Sequence, residues 1–167
     1  MKTIATFFTL LISMTFLSAQ EVSPHALGLR LDGSDGLGPE ISYQRALGDN
    51  NRLELDLGFA DYGYVEEFKV TGIYQWVMPL GSSGLNWYAG VGGGLGFFDG
   101  YDGPFDEDPD EFTVSLDGMI GIEYSLLNVS DVPLMFSLDI NPEFEIINDF
   151  YDDDIDLDAA LGIRFQF

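Results

Sequence analysis

The chain has 167 residues, room for one domain. It has no cysteine, which excludes a disulfide framework, a thiolate zinc or redox site, and lipid attachment at an N-terminal cysteine. Its 29 acidic residues against 6 Lys and Arg give a net charge of −23, which excludes a nucleic-acid partner, because phosphate affinity needs a basic footprint; the 46% hydrophobic and 14% aromatic content argues for a folded chain rather than an acidic disordered one.

Met1-Lys2 gives a positive start, Ile4 to Leu17 is an apolar run, and Ser18-Ala19-Gln20 supplies small residues at a cut. This pattern predicts a secretory signal peptide over 1–20, removed to leave residues 21–167 as one β-barrel domain. No later apolar stretch has the length of a membrane-spanning helix, so a membrane role would fall to β-strands.

Alternating segments then follow one another. The first strand is His25 to Leu31, with Leu27, Leu29 and Leu31 on one face and Gly28 and Arg30 on the other. After the turn cluster Asp32 to Gly36, the second strand runs from about Leu37 to Leu47, weakened at its start by Pro39. Gly48 to Asn51 signals a hairpin into Arg52 to Ala60, where Leu53, Leu55, Leu57 and Phe59 alternate with Arg52, Glu54, Asp56 and Gly58. The fourth strand, Glu67 to Met78, sets Phe68, Val70, Tyr74, Trp76 and Met78 against Lys69, Thr71 and Gln75; Ile73 and Val77 interrupt its polar face. Pro79 to Gly84 is a turn. In Leu85 to Phe98, Trp87, Ala89, Val91, Leu95 and Phe97 alternate with four glycines. Asp99 to Glu111 is the longest loop and heavily acidic. Phe112 to Leu126, Leu134 to Glu145 and Ile155 to Phe167 complete eight strands, with Pro142 suggesting a bulge or strand end.

The alternation does not itself say which face points inward. In a soluble barrel the apolar face is inside; in an outer-membrane barrel it faces lipid. Three features favour lipid. Glycine recurs on the polar face, as in Leu27-Gly28-Leu29, Leu57-Gly58-Phe59, Leu95-Gly96-Phe97 and Leu161-Gly162-Ile163, where a crowded lumen needs it and a solvated face does not. Aromatics cluster near the ends of the apolar faces, Trp76 and Trp87 among them, in the manner of interfacial girdles. Strands of about 9–13 residues suit a bilayer core when tilted by about 45°. The expected fold is all-β, a closed antiparallel up-and-down transmembrane β-barrel of about eight strands, with short periplasmic turns and longer external loops.

The apolar run at the N-terminus, the eight alternating strands and the terminal Phe165-Gln166-Phe167 resemble the small outer-membrane β-barrel family of Gram-negative bacteria, which includes the barrel domain of outer membrane protein A. The resemblance spans all of 21–167. It implies location in the cell outer membrane among lipid and lipopolysaccharide, and recognition of Phe165 and Phe167 by the barrel-insertion machinery. The peptidoglycan-binding domain of larger relatives is not expected in this chain.

An enzyme is not expected. Small barrel hydrolases and acyltransferases resemble this architecture and use His with Ser and a carboxylate near the external rim, but the one histidine, His25, begins the first strand at the predicted periplasmic end. No cofactor is expected. The acidic runs 102–111 and 152–158 carry hard oxygen donors but not the spacing of a calcium loop, and read as solvated loops with at most weak divalent-cation binding. The expected lumen holds Arg30, Arg52, Lys69 and Arg164 with Glu40, Glu54, Asp56, Asp117, Glu123, Asp139, Glu143, Asp156 and Asp158, a charge network filling the barrel. Closure of the last strand on the first should pair Arg30 with Asp158 or Asp156, and Trp76 should lie opposite Trp87. The expected function is a monomeric outer-membrane protein with a structural or surface-interaction role. The alternatives are a narrow cation-preferring pore and a secreted soluble barrel binding an apolar ligand.

Overall fold

The computed structural model describes residues 22–33, 39–61, 65–81, 83–100, 111–147 and 155–167. The signal segment 1–20 and the acidic stretches 101–110 and 148–154 lie outside the described residues. Eight strands are present: β1 (His25–Asp32), β2 (Pro39–Ala46), β3 (Asn51–Asp61), β4 (Val65–Pro79), β5 (Leu85–Gly100), β6 (Glu111–Ser125), β7 (Leu134–Ile147) and β8 (Ile155–Gln166), with one helical turn, α1 (Leu127–Ser130), between β6 and β7. Each pairs antiparallel with its sequence neighbours, and β1 pairs with β8, so the sheet closes into a barrel. Among the described residues no helix is long and apolar enough to cross a membrane.

Period two sets the wall. Once β1 turns Arg30 inward, Leu27, Leu29 and Leu31 must face outward, and the registers carry this parity from strand to strand apart from one shift between β6 and β7. Large apolar side chains therefore stand exposed on all the strands, from Leu29 on β1 through Ile41, Leu55, Trp76, Val91, Leu116, Leu138 and Leu161. The interior is the reverse. Among the described residues, eighteen polar or charged ones are buried against seven apolar ones. A small apolar cluster of Ile73, Val77, Tyr88 and Met119 sits among them, and it explains why Ile73 and Val77 interrupt the polar face of β4.

The seam is well formed. The backbone amide of His25 donates to the Phe167 carbonyl at 3.0 Å, and the Phe167 amide returns a bond to the His25 carbonyl at 2.8 Å. Arg30 faces Gly162 across β1 and β8. The chain start, the connections 47–50, 80–84 and 126–133, and Phe167 share one end of the barrel, called the turn end below; the other is the loop end. At the turn end Gly81 and Gly84 take φ of 65° and 86°, the left-handed region that suits glycine, and a Cβ at Gly84 would also meet the Ser125 carbonyl at 2.5 Å.

Two expectations about register need correction. Trp87 lies opposite Met78, and Trp76 opposite Ala89, so the two indoles are diagonal neighbours rather than a direct pair. β4 runs one residue further into the hairpin than expected, Pro79 pairing with Asn86, so each partner moves by two residues, and a shift of two keeps both indoles outward. The bulge is not at Pro142. The β6–β7 register shifts between Val114 and Ser115, opposite Glu145 to Ile147, whereas on either side of Pro142 the register is the same: Asp117 faces Glu143 and Ile120 faces Ile140. Gly118 makes room there, since a Cβ would meet the Pro142 ring at 2.9 Å. β2 begins at Pro39, a first position where a missing N–H is tolerated, and residues 37 and 38 of the expected strand lie outside the described residues.

Candidate functional site

The lumen is the part of the molecule with chemistry in it. Glycine gives it its width. A Cβ on Gly28 would overlap the Ile163 carbonyl, one on Gly121 would meet Tyr88 Cζ at 2.6 Å, and one on Gly162 would overlap Ser137 Oγ. These inward glycines leave the cross-section to long side chains from opposite walls.

Toward the turn end, Arg164 ion-pairs with Glu54, donates from Nε to Ser42 Oγ (2.9 Å) and from Nη1 to Ser137 Oγ (2.8 Å). Glu54 also accepts from Gln44 Nε2 and Gln75 Nε2, each at 2.7 Å. Arg52 pairs with Glu123 at 2.6 Å, donates from Nε to Gln75 and lies 4.9 Å from the Tyr88 ring centroid, close enough for cation–π attraction. Asn86 Nδ2 donates to Glu123 at 3.0 Å. Further along, Tyr88 Oη donates to Asp139 at 2.7 Å. Arg30 is shared by three carboxylates, Glu40 at 2.6 Å and Asp32 and Asp139 at 3.1 Å each. Lys69 pairs with Glu143 at 2.5 Å.

The structure thus brings together Arg30, Arg52, Lys69, Arg164, Glu54, Glu123 and Asp139 from the sequence-derived lumen set. Asp56, Asp117 and Asp158 are also buried inside. Asp156 has inward parity but stands exposed at the loop end. The expected pairing of Arg30 with Asp158 or Asp156 gives way to the three partners just named. The lumen is narrow enough for a guanidinium on β1 to cross to Asp139 on β7, so adjacency along the sheet does not decide its partner. Sequence reading passed over Tyr88, Asn86 and Met119. All three occupy inward positions of their strands, so strict parity from Gly90 on β5 and Asp117 on β6 would have found them.

Among the described residues, His25 is held by aromatic and backbone contacts. Its Nδ1 is 2.8 Å from Tyr43 Oη, and its ring stacks on Phe167 at 5.4 Å and Tyr43 at 6.0 Å; Ser23 Oγ donates to its backbone carbonyl. Among the described residues, no three His, Cys, Asp or Glu side chains gather as a chelating set. Of the two acidic runs, residues 102–110 and 152–154 lie outside the described residues.

Aromatics mark both ends of the outer wall. Phe59, Phe68, Phe97 and Phe112 face one another in register across β3 to β6, with successive centroids 4.9, 6.3 and 5.2 Å apart toward the loop end. Toward the turn end, Tyr74 and Trp76 make an edge contact at 5.0 Å, and Phe165 stacks on Phe167 at 6.4 Å.

No family model matches the sequence, and no curated protein matches it. Solved structures do. The N-terminal β-barrel domain of Pseudomonas aeruginosa OprF superposes with a TM-score of 0.66 at 13% identity, covering 86% of this chain and 96% of that one. Neisserial surface protein A (NspA) superposes with a TM-score of 0.59 at 15% identity, covering 86% and 94%. At such identities the likeness is one of fold: this chain is an all-β, closed, eight-stranded antiparallel up-and-down barrel similar to these small outer-membrane barrels.

Proposed function

We propose that the protein is an integral outer-membrane β-barrel with a structural or surface-interaction role. The observation that carries this reading is the inverted distribution of polarity. An apolar wall encloses an interior in which buried polar residues outnumber apolar ones by eighteen to seven. In water such a wall would be an aggregation surface; in lipid it is the solvated face, and closure leaves no unpaired strand edge. The aromatic bands, including Trp76 and Trp87, would then sit at the two interfaces, with the turn end periplasmic and the acidic loops external among lipopolysaccharide. On this reading residues 1–20 direct export, Phe165 and Phe167 are read by the insertion machinery, and the barrel is a monomer. The resemblance to a bacterial surface protein agrees with it.

The polar interior speaks against a soluble carrier of apolar ligands. The ion pairs crossing the lumen speak against an open pore. In planar bilayers the purified protein is therefore expected to give little or no conductance; large, reproducible, cation-selective channels would replace this reading with the pore. Cell fractionation with heat-modifiable migration in detergent tests location and fold together. The protein should partition with outer membranes and shift mobility on boiling, and recovery as a soluble periplasmic protein would refute the assignment.

A further inference from the structure

The charges inside the lumen do not balance. Of the chain's six Lys and Arg, Lys2 lies ahead of the barrel and Arg45 stands exposed on the outer face, leaving Arg30, Arg52, Lys69 and Arg164 inside. The segments 34–38, 62–64, 101–110 and 148–154 contain no Lys, Arg or His, so no loop can supply another cation. Seven carboxylates are buried in the same space. Arg164, Arg52 and Lys69 are engaged by Glu54, Glu123 and Glu143, and Arg30 by Asp32, Glu40 and Asp139.

Two buried acids are left with open oxygens. Asp56 is 2% exposed, and neither of its oxygens has a hydrogen-bond partner. Ser42 faces it across β2 and β3 but directs its hydroxyl to Glu54 at 3.2 Å. Asp117 is 7% exposed; Oδ1 accepts from Ser115 at 2.9 Å and Oδ2 has no partner. Asn141 Oδ1 is likewise buried without one. These three residues, with Thr71, line one cavity of about 30 Å³ in the loop-end half of the lumen, whose wall also includes Arg30 and Lys69, enough for roughly two water-sized occupants. Glycine keeps part of it open. A Cβ on Gly94 would sit 3.2 Å from Asp117 Oδ2 and 3.4 Å from Thr71 Oγ1.

We propose that this cavity binds a partly hydrated divalent cation of the calcium class. The donors are all oxygen: the Asp56 and Asp117 carboxylates, Asn141 Oδ1 and Thr71 Oγ1. Such a set suits a hard cation and not a soft metal. Six carboxylates, those of Asp32, Glu40, Asp56, Asp117, Glu143 and Asp158, line the cavity against Arg30 and Lys69, an excess of negative charge that a divalent cation offsets in part. Because no three acidic side chains close on a single point, water completes the shell, and the cavity has room for about one beside the ion.

The test is calcium titration of the folded barrel in zwitterionic detergent, followed by calorimetry and by the urea midpoint, with ionic strength held by N-methyl-D-glucamine chloride. Wild type should take up one calcium inside the lumen and gain stability from it. Asp106→Asn/Asp108→Asn/Asp110→Asn, on the acidic loop, should retain that binding. Asp56→Asn should weaken it by at least about 10-fold, the lower bound for losing a partner one step further out from a metal. Should Asp56→Asn fail to fold, as judged by heat-modifiable migration, Asp117→Asn takes its place with the same expectation. Absence of calcium binding by wild type overturns the proposal. So does binding that disappears in the loop variant but survives in the lumen variants, or an equal stabilisation by sodium at matched ionic strength.

Discussion

The two halves of the lumen are built on the same wall and solve the burial of charge differently. In the turn-end half each buried carboxylate has its own guanidinium and neutral donors around it: Glu54 takes Arg164, Gln44 and Gln75, and Glu123 takes Arg52 and Asn86. The exceptions there are single atoms, Arg52 Nη2 and Asn86 Oδ1. In the loop-end half one guanidinium, Arg30, is divided among three carboxylates, and Asp56 and Asp117 keep open oxygens. A buried ion pair contributes little net stability over an apolar substitute, but losing one partner strands the other. The turn-end half therefore behaves as a closed plug, and the loop-end half as a negatively charged chamber whose balance comes from outside.

Substitutions can break that contrast. The largest effect is expected for Arg164→Ala, which strands Glu54 at the centre of the plug; urea unfolding of the refolded barrel should show a loss of about 3–5 kcal/mol. Arg30→Ala should lose about 3 kcal/mol, the low end of that range, because water reaches the chamber more easily than the plug; a larger loss than for Arg164→Ala would reverse the assignment of the two halves. Asp56→Asn should change stability with the opposite sign. With divalent ions chelated, removal of an uncompensated buried charge should raise stability by about 1–3 kcal/mol, the penalty for an unsatisfied buried group, and a marked loss would mean that Asp56 already has a cation within the protein. The smallest effect is expected for Asp108→Asn, in the acidic stretch 101–110, within about 0.5 kcal/mol in chelator; a shift as large as that of Arg30→Ala would move the electrostatic weight out of the lumen.

Much of this architecture was legible in the chain because a barrel wall has only two faces. Parity read from Leu27-Gly28-Leu29 or from Ile155 to Phe167 places the side chains of a strand without any knowledge of partners, and a register error of two residues, as at Trp76 and Trp87, leaves the facing intact. What lay beyond reach was contact across the lumen. Alternation puts Arg30 and Asp139 on the same side of the sheet, but their meeting depends on barrel diameter and tilt, which local sequence does not encode. The same holds for the cluster of Ile73, Val77, Tyr88 and Met119. In one dimension these look like faults in the pattern, and in three they form one cluster contributed by β4, β5 and β6.

The seam between β1 and β8 governs the order of assembly. Seven of the eight junctions join strands adjacent in sequence and can form as hairpins. The eighth joins His25–Asp32 to residues 160–166 and must close a loop of more than a hundred residues. Until β8 arrives, β1 and β7 are unfinished edges, lined with unpaired amides and flanked by apolar rows, the combination that templates pairing between chains. Long-range pairing of this kind is slow, because chain entropy must be surrendered before any contact rewards it. On the proposed outer-membrane reading, those open edges and apolar rows stand unprotected until the wall closes, so pairing between neighbouring copies competes with closure for as long as β8 is unplaced.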